Sequence, residues 1–380
     1  MKCEFSQNCG GCCYRHLDKQ EYQKLKIQKL ESILKERLDV ADCVFRTPIF
    51  IDDGTRRRAS FAFEYKKSKL KFGFNENKSD NIVDLFNCPL LTTTINRHLG
   101  AIREFLQKLC EIKTVKKLKA KKFCESFISK GDLLVLEATN GLDLVLETSS
   151  QLELSHKMEI FDFVNANENI VRFSYKKDAF SEPETIVEKL KPTINIAGFD
   201  VYVAAGTFLQ ASKEGETALI DTVCKYLEDI NGNIADLFCG IGTFSYPLAK
   251  NKENKIVAID VNKNLLEGFR TSINKQMIHN VAIEQKNLFK YPLESNELEN
   301  FDAVVFDPPR AGALSIAKEL AKVDKSKKLK KVVAVSCNPH SFVNDAKILL
   351  ESGYKLKSIT LVDQFVYSNH LELVALFTTN

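Results

Sequence analysis

The sequence predicts an α/β protein: a doubly wound sheet over residues 200–380, preceded by a mainly β domain over 45–199 and a small segment with a helix over 1–44. Three observations carry that reading. Beyond residue 200, β-like runs alternate with helical ones, the rhythm of a parallel sheet covered on both faces. Between 45 and 199, apolar residues alternate or bunch between turn residues. At the N-terminus, Cys3, Cys9, Cys12 and Cys13 crowd together.

The elements follow in order. In "DKQEYQKLKIQKLESILKERL" (18–38), Tyr22, Leu25, Leu30, Ile33 and Leu34 fall near helical spacing. "RASFAFEY", "LKFGF", "DLLVLEAT" and "DLVLETS" read as strands, interrupted by one helix, "TTTINRHLGAIREFLQKLCEI" (92–112). Then "TALIDTVCKYLEDI" is helical, "NIADLF" a strand, "TFSYPLAKN" the start of a helix and "KIVAID" a strand. Helix "NLLEGFRTSINKQM", strands "VAIEQK" and "FDAVVFD", helix "SIAKELAKV", strand "KVVAVSC" and helix "SFVNDAKILLES" continue the series. The final strands, "LKSITLVD" and "LELVALFT", are joined by a short loop and are expected to be antiparallel neighbours.

A chain of 380 residues accommodates two or three domains. With 44% hydrophobic and 27% charged residues, its composition is that of a soluble globular protein. No apolar stretch approaches the roughly 18–20 residues of a membrane span. "MKCEFSQNCGG" lacks the apolar core of a secretory signal. A cytoplasmic protein is expected, with no membrane partner and no obligate protein partner evident. Eleven cysteines in a reducing compartment, four of them clustered, point to metal rather than disulfides. The net charge of +4 is too small to imply nucleic acid, but its distribution is informative. "TRRRASF" (55–61), "YKKSKLKF" (65–72) and "KTVKKLKAKKF" (113–123) interleave Lys and Arg with Phe and Tyr. That pattern suits a surface gripping phosphates while rings stack on bases, or simply a solvated face.

"ADLFCGIGTF" (235–244) places Gly240 and Gly242 after a strand and before a helix, where glycine permits a tight turn and close approach of a ligand. The next strand ends in Asp260, placed to bind ribose hydroxyls. The third glycine of a dinucleotide fingerprint is missing, and so is the Gly-Lys-Ser/Thr of a phosphate loop. Asp236, Gly240, Gly242 and Asp260 fit the S-adenosylmethionine pocket of a Rossmann-like class I methyltransferase better than NAD or ATP.

"FDAVVFDPPRAG" (301–312) is a further strand of that sheet, and the two prolines after Asp307 stiffen the loop that aims its carboxylate. Amino-methyltransferases carry a related motif followed by an aromatic residue; here Arg310 follows, which argues against exocyclic amine chemistry and leaves carbon methylation open. Carbon 5 of uracil becomes nucleophilic only after a thiolate adds at C6, and a base must then remove the C5 proton. The chemistry needs one cysteine and one base at the sheet's C-terminal rim. "VVAVSCNPHSF" (332–342) ends a strand in Cys337, and "QFVYSNHLELV" (364–374) offers Glu372, with His370 as an orienting residue. A strand-end thiol and a solvent-facing carboxylate are the plain alternatives. Glu372 lies in a strand expected to be central, where burial would raise its pKa into a range useful for a base.

In this order the motifs resemble the RNA uracil-5-methyltransferases, which make 5-methyluridine in bacterial 23S ribosomal RNA and in transfer RNA, and the likeness spans nearly the whole chain. The resemblance implies Cys337 as nucleophile, Glu372 as base and Asp307 beside them. "TFLQAS" (207–212) resembles the family's Phe-x-Gln-x-Asn segment, which implies a cofactor or target-base contact for Gln210. "DLFCGIGTF" and "KNLFKYP" (286–292) imply cofactor contacts by Phe238, Thr243 and Asn287. Cys3, Cys9 and Cys12, in C-x5-C-G-G-C spacing, and Cys88 of "LFNCPLL" resemble the quartet that holds a [4Fe–4S] cluster in ribosomal-RNA members, with Cys13 spare. By donor chemistry alone four thiolates suit zinc equally.

The chain departs from the family pattern at Thr243, Ser212 and Asp260, and at Val366 and Ser368 near the base. It begins at the cysteine cluster, without the additional RNA-binding barrel of many relatives, and so resembles the shorter branch that modifies the hairpin around uridine 747 of 23S RNA. The expected function is 5-methyluridine formation in RNA, most naturally 23S rRNA, with S-adenosylmethionine as methyl donor. The alternatives are a transfer-RNA T-loop methyltransferase and a non-catalytic RNA-binding assembly factor.

Overall fold

The computed structural model of the chain describes residues 3–117 and 123–379. The basic run at 113–123 therefore lies partly outside the described residues. The chain forms two compact units. One comprises Met1–His16, Asp52–Ile194 and Val203–Lys213; the other comprises Leu17–Ile51, Asn195–Tyr202 and Glu214–Asn380.

The first unit is built on a seven-stranded sheet, in the order Glu184–Glu188, Ile170–Lys176, Gly141–Glu147, Lys130–Ala138, Arg58–Lys66, Lys69–Asn75, Ile82–Asp84. Phe61, Phe63 and Phe72 alternate inward along adjacent strands, as a half-buried pleat requires. All neighbours are antiparallel except Gly141–Glu147 with Ile170–Lys176, which run parallel. A parallel pair needs a crossover, and the helix Leu154–Ala166 supplies it. Sequence reasoning foresaw only the helix Thr93–Glu111 in this region. The second helix escaped it because its apolar residues fall on two faces: Ile160, Phe163 and Val164 are buried, while Leu154, Met158 and Phe161 are exposed. Across the parallel pair, the fully buried Arg172 grips Asp143 through two bonds of 2.9 and 2.6 Å.

The second unit carries a nine-stranded mixed sheet. Its order is Val44–Phe45, Lys355–Asp363, Leu373–Thr378, Lys331–Ser336, Ala303–Phe306, Asn233–Leu237, Lys255–Asp260, Val281–Gln285, with Ile49–Phe50 paired to Lys355–Asp363. The strands from Asn233 to Ser336 run parallel, and Leu373–Thr378 inserts antiparallel between Lys331–Ser336 and Lys355–Asp363. The expected antiparallel final pair is present, and Leu373–Thr378 is an interior strand. "TFSYPLAKN" forms only a single turn, Ser245–Leu248.

The helix Lys19–Arg37 belongs to this second unit, not to the cysteine segment with which the sequence grouped it. Asp18 caps it, accepting from the Gln20 and Glu21 amides at 2.8 Å each. Its buried stripe is Tyr22, Lys26, Leu30 and Leu34, one residue every four, so a lysine occupies a position that an apolar residue would fill. Among the described residues no helix is long and apolar enough to cross a membrane.

Candidate active site

Three loops meet at the C-terminal edge of the second unit's parallel strands. The strand Lys331–Ser336 delivers Cys337, and the next residue, Asn338, caps the helix Pro339–Glu351 by accepting from the His340 amide at 3.2 Å. The Asn338 side-chain amide donates to the Arg310 carbonyl at 2.9 Å, which ties the cysteine turn to the Asp307-Pro-Pro-Arg loop. Asp307 follows the strand Ala303–Phe306, and its amide bonds the Leu237 carbonyl at 3.3 Å. The antiparallel register pairs Ser336 with Leu373, so one step further Cys337 stands across from Glu372.

Burial governs the electrostatics. Glu372 is 2% exposed, and its pKa is pushed up to about 8, first by burial and then by the Asp307 and Asp363 charges. The Gln364 side-chain amide opposes this by donating to Glu372 Oε2. Burial, then Glu372 and Asp307, push the half-buried Cys337 thiol up to about 11, while Arg310 pulls it down. The two groups thus hold their protons until the surroundings change. His370 is exposed at its ring, which lies 5.3 Å from Phe365.

Beside them, the strand Asn233–Leu237 turns sharply through Phe238, Gly240 and Gly242, which have φ of 60°, 55° and 90°. A Cβ on Gly242 would stand 2.3 Å from the Phe269 ring, so both space and backbone require glycine there. No atom lies within 4 Å of the corresponding point on Gly240, which leaves that backbone open to a ligand. Asp260 accepts from the Gly240 amide at 3.0 Å and the Asn262 amide at 2.9 Å, shaping the turn with both oxygens. Buried Asp236 accepts from Ser245 Oγ at 2.6 Å, and its other oxygen is buried without a partner. Burial raises its pKa to about 7. Thr243 is half-buried. The Asn287 side chain caps its own turn, accepting from the Phe289 and Lys290 amides at 3.1 and 3.2 Å. Phe238 lies 5.3 Å from the half-exposed Phe289, forming an aromatic rim that sequence reasoning missed. Asn338 was missed as well, although an Asn-Pro after a strand signals a capped helix start.

Two predicted groups lie in the first unit. Gln210 is buried, and its carbonyl accepts from Arg57 Nε at 3.3 Å. Arg57 is itself buried, so this member of the "TRRRASF" run is internal. Cys3, Cys9, Cys12 and Cys88 line one small cavity with Arg15. Asn96 fixes the Cys88 loop, accepting from its amide at 2.9 Å and donating to its carbonyl at 3.0 Å. Burial raises the Cys9, Cys12 and Cys88 thiols, and their mutual charge adds to it. Among the described residues no three His, Cys, Asp or Glu are placed to hold a metal ion.

The mixed sheet, its glycine turn and the acid ending the next strand define an S-adenosylmethionine-dependent methyltransferase fold. A family model described as tRNA (Uracil-5-)-methyltransferase matches residues 18–379. An uncharacterised RNA methyltransferase of Agrobacterium fabrum strain C58 is 34% identical over 372 residues, covering 97% of this chain and 81% of its own. The 23S rRNA (uracil(1939)-C(5))-methyltransferase RlmD of Aliivibrio fischeri is 27% identical over 380 residues, covering 99% and 81%. The solved tRNA (uracil-54, C5)-methyltransferase of Pyrococcus abyssi, in complex with S-adenosyl-L-homocysteine, shares the fold at 23% identity and a TM-score of 0.73, over 97% of this chain and 86% of that one. The chain belongs to the tRNA (uracil-5-)-methyltransferase family and is an S-adenosylmethionine-dependent RNA uracil-C5 methyltransferase of that family.

The raised acid has a consequence for stability. Glu372 takes up a proton as the chain folds, so its contribution is fully present below the ordinary carboxylate range and is lost as pH rises toward 8. Glu372→Gln is expected to match wild type near pH 4 and to be more stable by about 1–3 kcal/mol at pH 8. Urea unfolding at both pH values measures the gap; a gap independent of pH would contradict the buried, protonated acid.

Proposed function

We propose that the protein makes 5-methyluridine in 23S ribosomal RNA, with Cys337 as nucleophile and Glu372 as base. The observation that carries this reading is the register pairing Ser336 with Leu373, which brings Cys337 and the buried Glu372, each one residue beyond its strand, to the same end of the pair. Cys337 releases its proton to solvent and adds as thiolate to C6 of a uridine flipped out of its RNA loop, which makes C5 nucleophilic. Bound S-adenosylmethionine supplies the methyl group that C5 takes. Glu372, acting from the carboxylate form that a pKa of about 8 leaves partly populated, then accepts the C5 proton, the C5=C6 bond re-forms and Cys337 leaves as thiolate. A carboxyl raised by burial is suited to holding that proton near neutrality.

The residues present suit the cofactor. Open backbone at Gly240, the orphaned oxygen of Asp236 and the Phe238–Phe289 rim would hold its amino-acid and adenosine parts, with Asp260, Thr243 and Asn287 contributing. Asp307 would meet the cofactor or the uracil edge; a ligand contact for Gln210 rests on the resemblance of "TFLQAS" to the family segment. The support for ribosomal RNA is the named relative that acts on it; that relative's uridine is 1939, and the shorter branch that the sequence resembles acts around 747, so both fragments are substrates to test. The family description and the Pyrococcus enzyme name transfer RNA, which makes the T-loop the second substrate to test.

The support for a cluster is the cysteine spacing and its family resemblance, together with the one cavity that the four thiols line. Tetrahedral zinc at 2.3 Å would draw the sulfurs within about 4 Å of one another. Four thiols around one cavity would supply the thiolate quartet of a [4Fe–4S] cluster held by Cys3, Cys9, Cys12 and Cys88. For RNA, two basic runs distant in sequence meet at one pocket: Lys66 and Lys67 of the tight hairpin turn, Lys113 and Lys130, with Tyr65 and Phe127 between them. This surface would grip phosphates.

Three experiments test the proposal. With S-adenosylmethionine and 5-fluorouridine-substituted RNA, the fluorine cannot leave as a proton, so a covalent complex should appear on a denaturing gel. It should be absent in Cys337→Ala, and fragments spanning 747, fragments spanning 1939 and a T-loop stem compete as substrates; no complex with any of them would remove the uracil mechanism. Anaerobic purification should give a brown protein with about four irons per chain, and Cys88→Ala should lose iron and colour; zinc in place of iron would rule the cluster out. In filter binding, Lys66→Ser with Lys67→Ser should weaken RNA and reduce the salt slope by roughly 2; an unchanged slope would place the RNA elsewhere.

A further inference from the structure

The loop that carries Glu372 is held by two side chains of the helix Lys19–Arg37. Lys26 and Asp363 have side chains about 1% exposed and form an ion pair of 2.9 Å. Lys26 Nζ also donates to the His370 carbonyl. Tyr22 donates its hydroxyl to the other Asp363 oxygen and accepts from the Tyr367 amide at 2.8 Å. Its ring lies 4.7 Å from that of Tyr367. One helix face therefore ties down the start of the loop at Asp363, its middle at Tyr367 and its end at His370, two residues before Glu372. Within the loop, Gln364 donates to the Glu372 carboxylate.

Stability alone does not account for a lysine here. A buried ion pair is commonly no better than apolar residues of the same shape, and the rest of the stripe, Leu30 and Leu34, is apolar. The bond to the His370 carbonyl is what an apolar side chain could not make.

We propose that Lys26, assisted by Tyr22, is a positioning residue for the Glu372 base. It sets the reach of the 364–371 loop so that the carboxylate stands opposite Cys337, and it neutralises Asp363 beside that carboxylate. The inference rests on the uracil mechanism proposed above. In its last step the C5 proton passes to Glu372, the C5–H electron pair forms the C5=C6 bond, and the C6–S bond breaks to return the thiolate to Cys337. A displaced base slows that step and spares the addition and methylation that precede it. The methylated covalent adduct then accumulates, whereas general damage to the fold lowers adduct and product together.

The test uses the full chain with S-adenosylmethionine and an unfluorinated RNA fragment that the wild type methylates. Wild type, Glu372→Gln, Lys26→Met and Tyr22→Phe are compared for adduct on a denaturing gel, for 5-methyluridine and for melting temperature. Tyr22→Phe keeps the ring and the ion pair, so it reports even where Lys26→Met folds poorly. In Lys26→Met, turnover is expected to fall roughly 10- to 100-fold while adduct rises above the wild-type level; Tyr22→Phe should shift both in the same directions by less. Adduct falling in step with product, or wild-type turnover in both variants, overturns the inference. If Glu372→Gln accumulates adduct and the helix variants do not, this inference alone fails. If Glu372→Gln gives none and fluorinated RNA traps no wild type, the mechanism beneath it has failed too.

Discussion

The Glu372 carboxylate is buried immediately before the interior strand Leu373–Thr378 of the second unit's sheet, and the arrangement of the candidate site depends on keeping it there. A charge in that position is costly, and the surroundings do little to relieve it: Asp307 and Asp363 add negative charge, against which the Gln364 side-chain amide donates one hydrogen bond. The result is an acid that holds its proton at neutral pH, facing a thiol that burial also keeps protonated. Both shifts have the same physical origin, burial beside negative charge.

Such a pair needs rigid supports, because loops alone would let the acid find water. The antiparallel insertion of Leu373–Thr378 between two other strands fixes the register from both sides. Asn338 binds the cysteine turn to the Asp307 loop, and the N-terminal helix binds the loop before Glu372. The glycine turn is fixed in the same way, by Asp260 beneath it and Phe269 against it. Three loops at one sheet edge thus draw their geometry from the elements behind them, as open α/β sheets generally arrange their sites.

Much of this was legible in the sequence, for identifiable reasons. The alternation of strands and helices after residue 200 has a strong period, and the short Gly-x-Gly turn and the Asp-Pro-Pro loop each carry a local conformational signal. The helix Leu154–Ala166 was not legible, because its apolar residues lie on two faces. The "TRRRASF" run looked like a surface, yet Arg57 is buried against a carbonyl. Charge in a sequence does not reveal which partner will neutralise it.

By itself the sequence determined which chemical groups exist and which strand or turn each ends: Cys337 after "VVAVS", Asp307 after "AVVF", Glu372 at the head of "LVALF". Those are local properties, set by hydrophobic period and by the backbone limits of glycine and proline. Tertiary structure decided what stands opposite what. Cys337 and Glu372 meet only because the last strand runs antiparallel, and Lys26 reaches Asp363 across 337 residues of chain only because the first helix packs with the last sheet. Pairings of that length depend on register and packing, for which no local run of residues carries a signal.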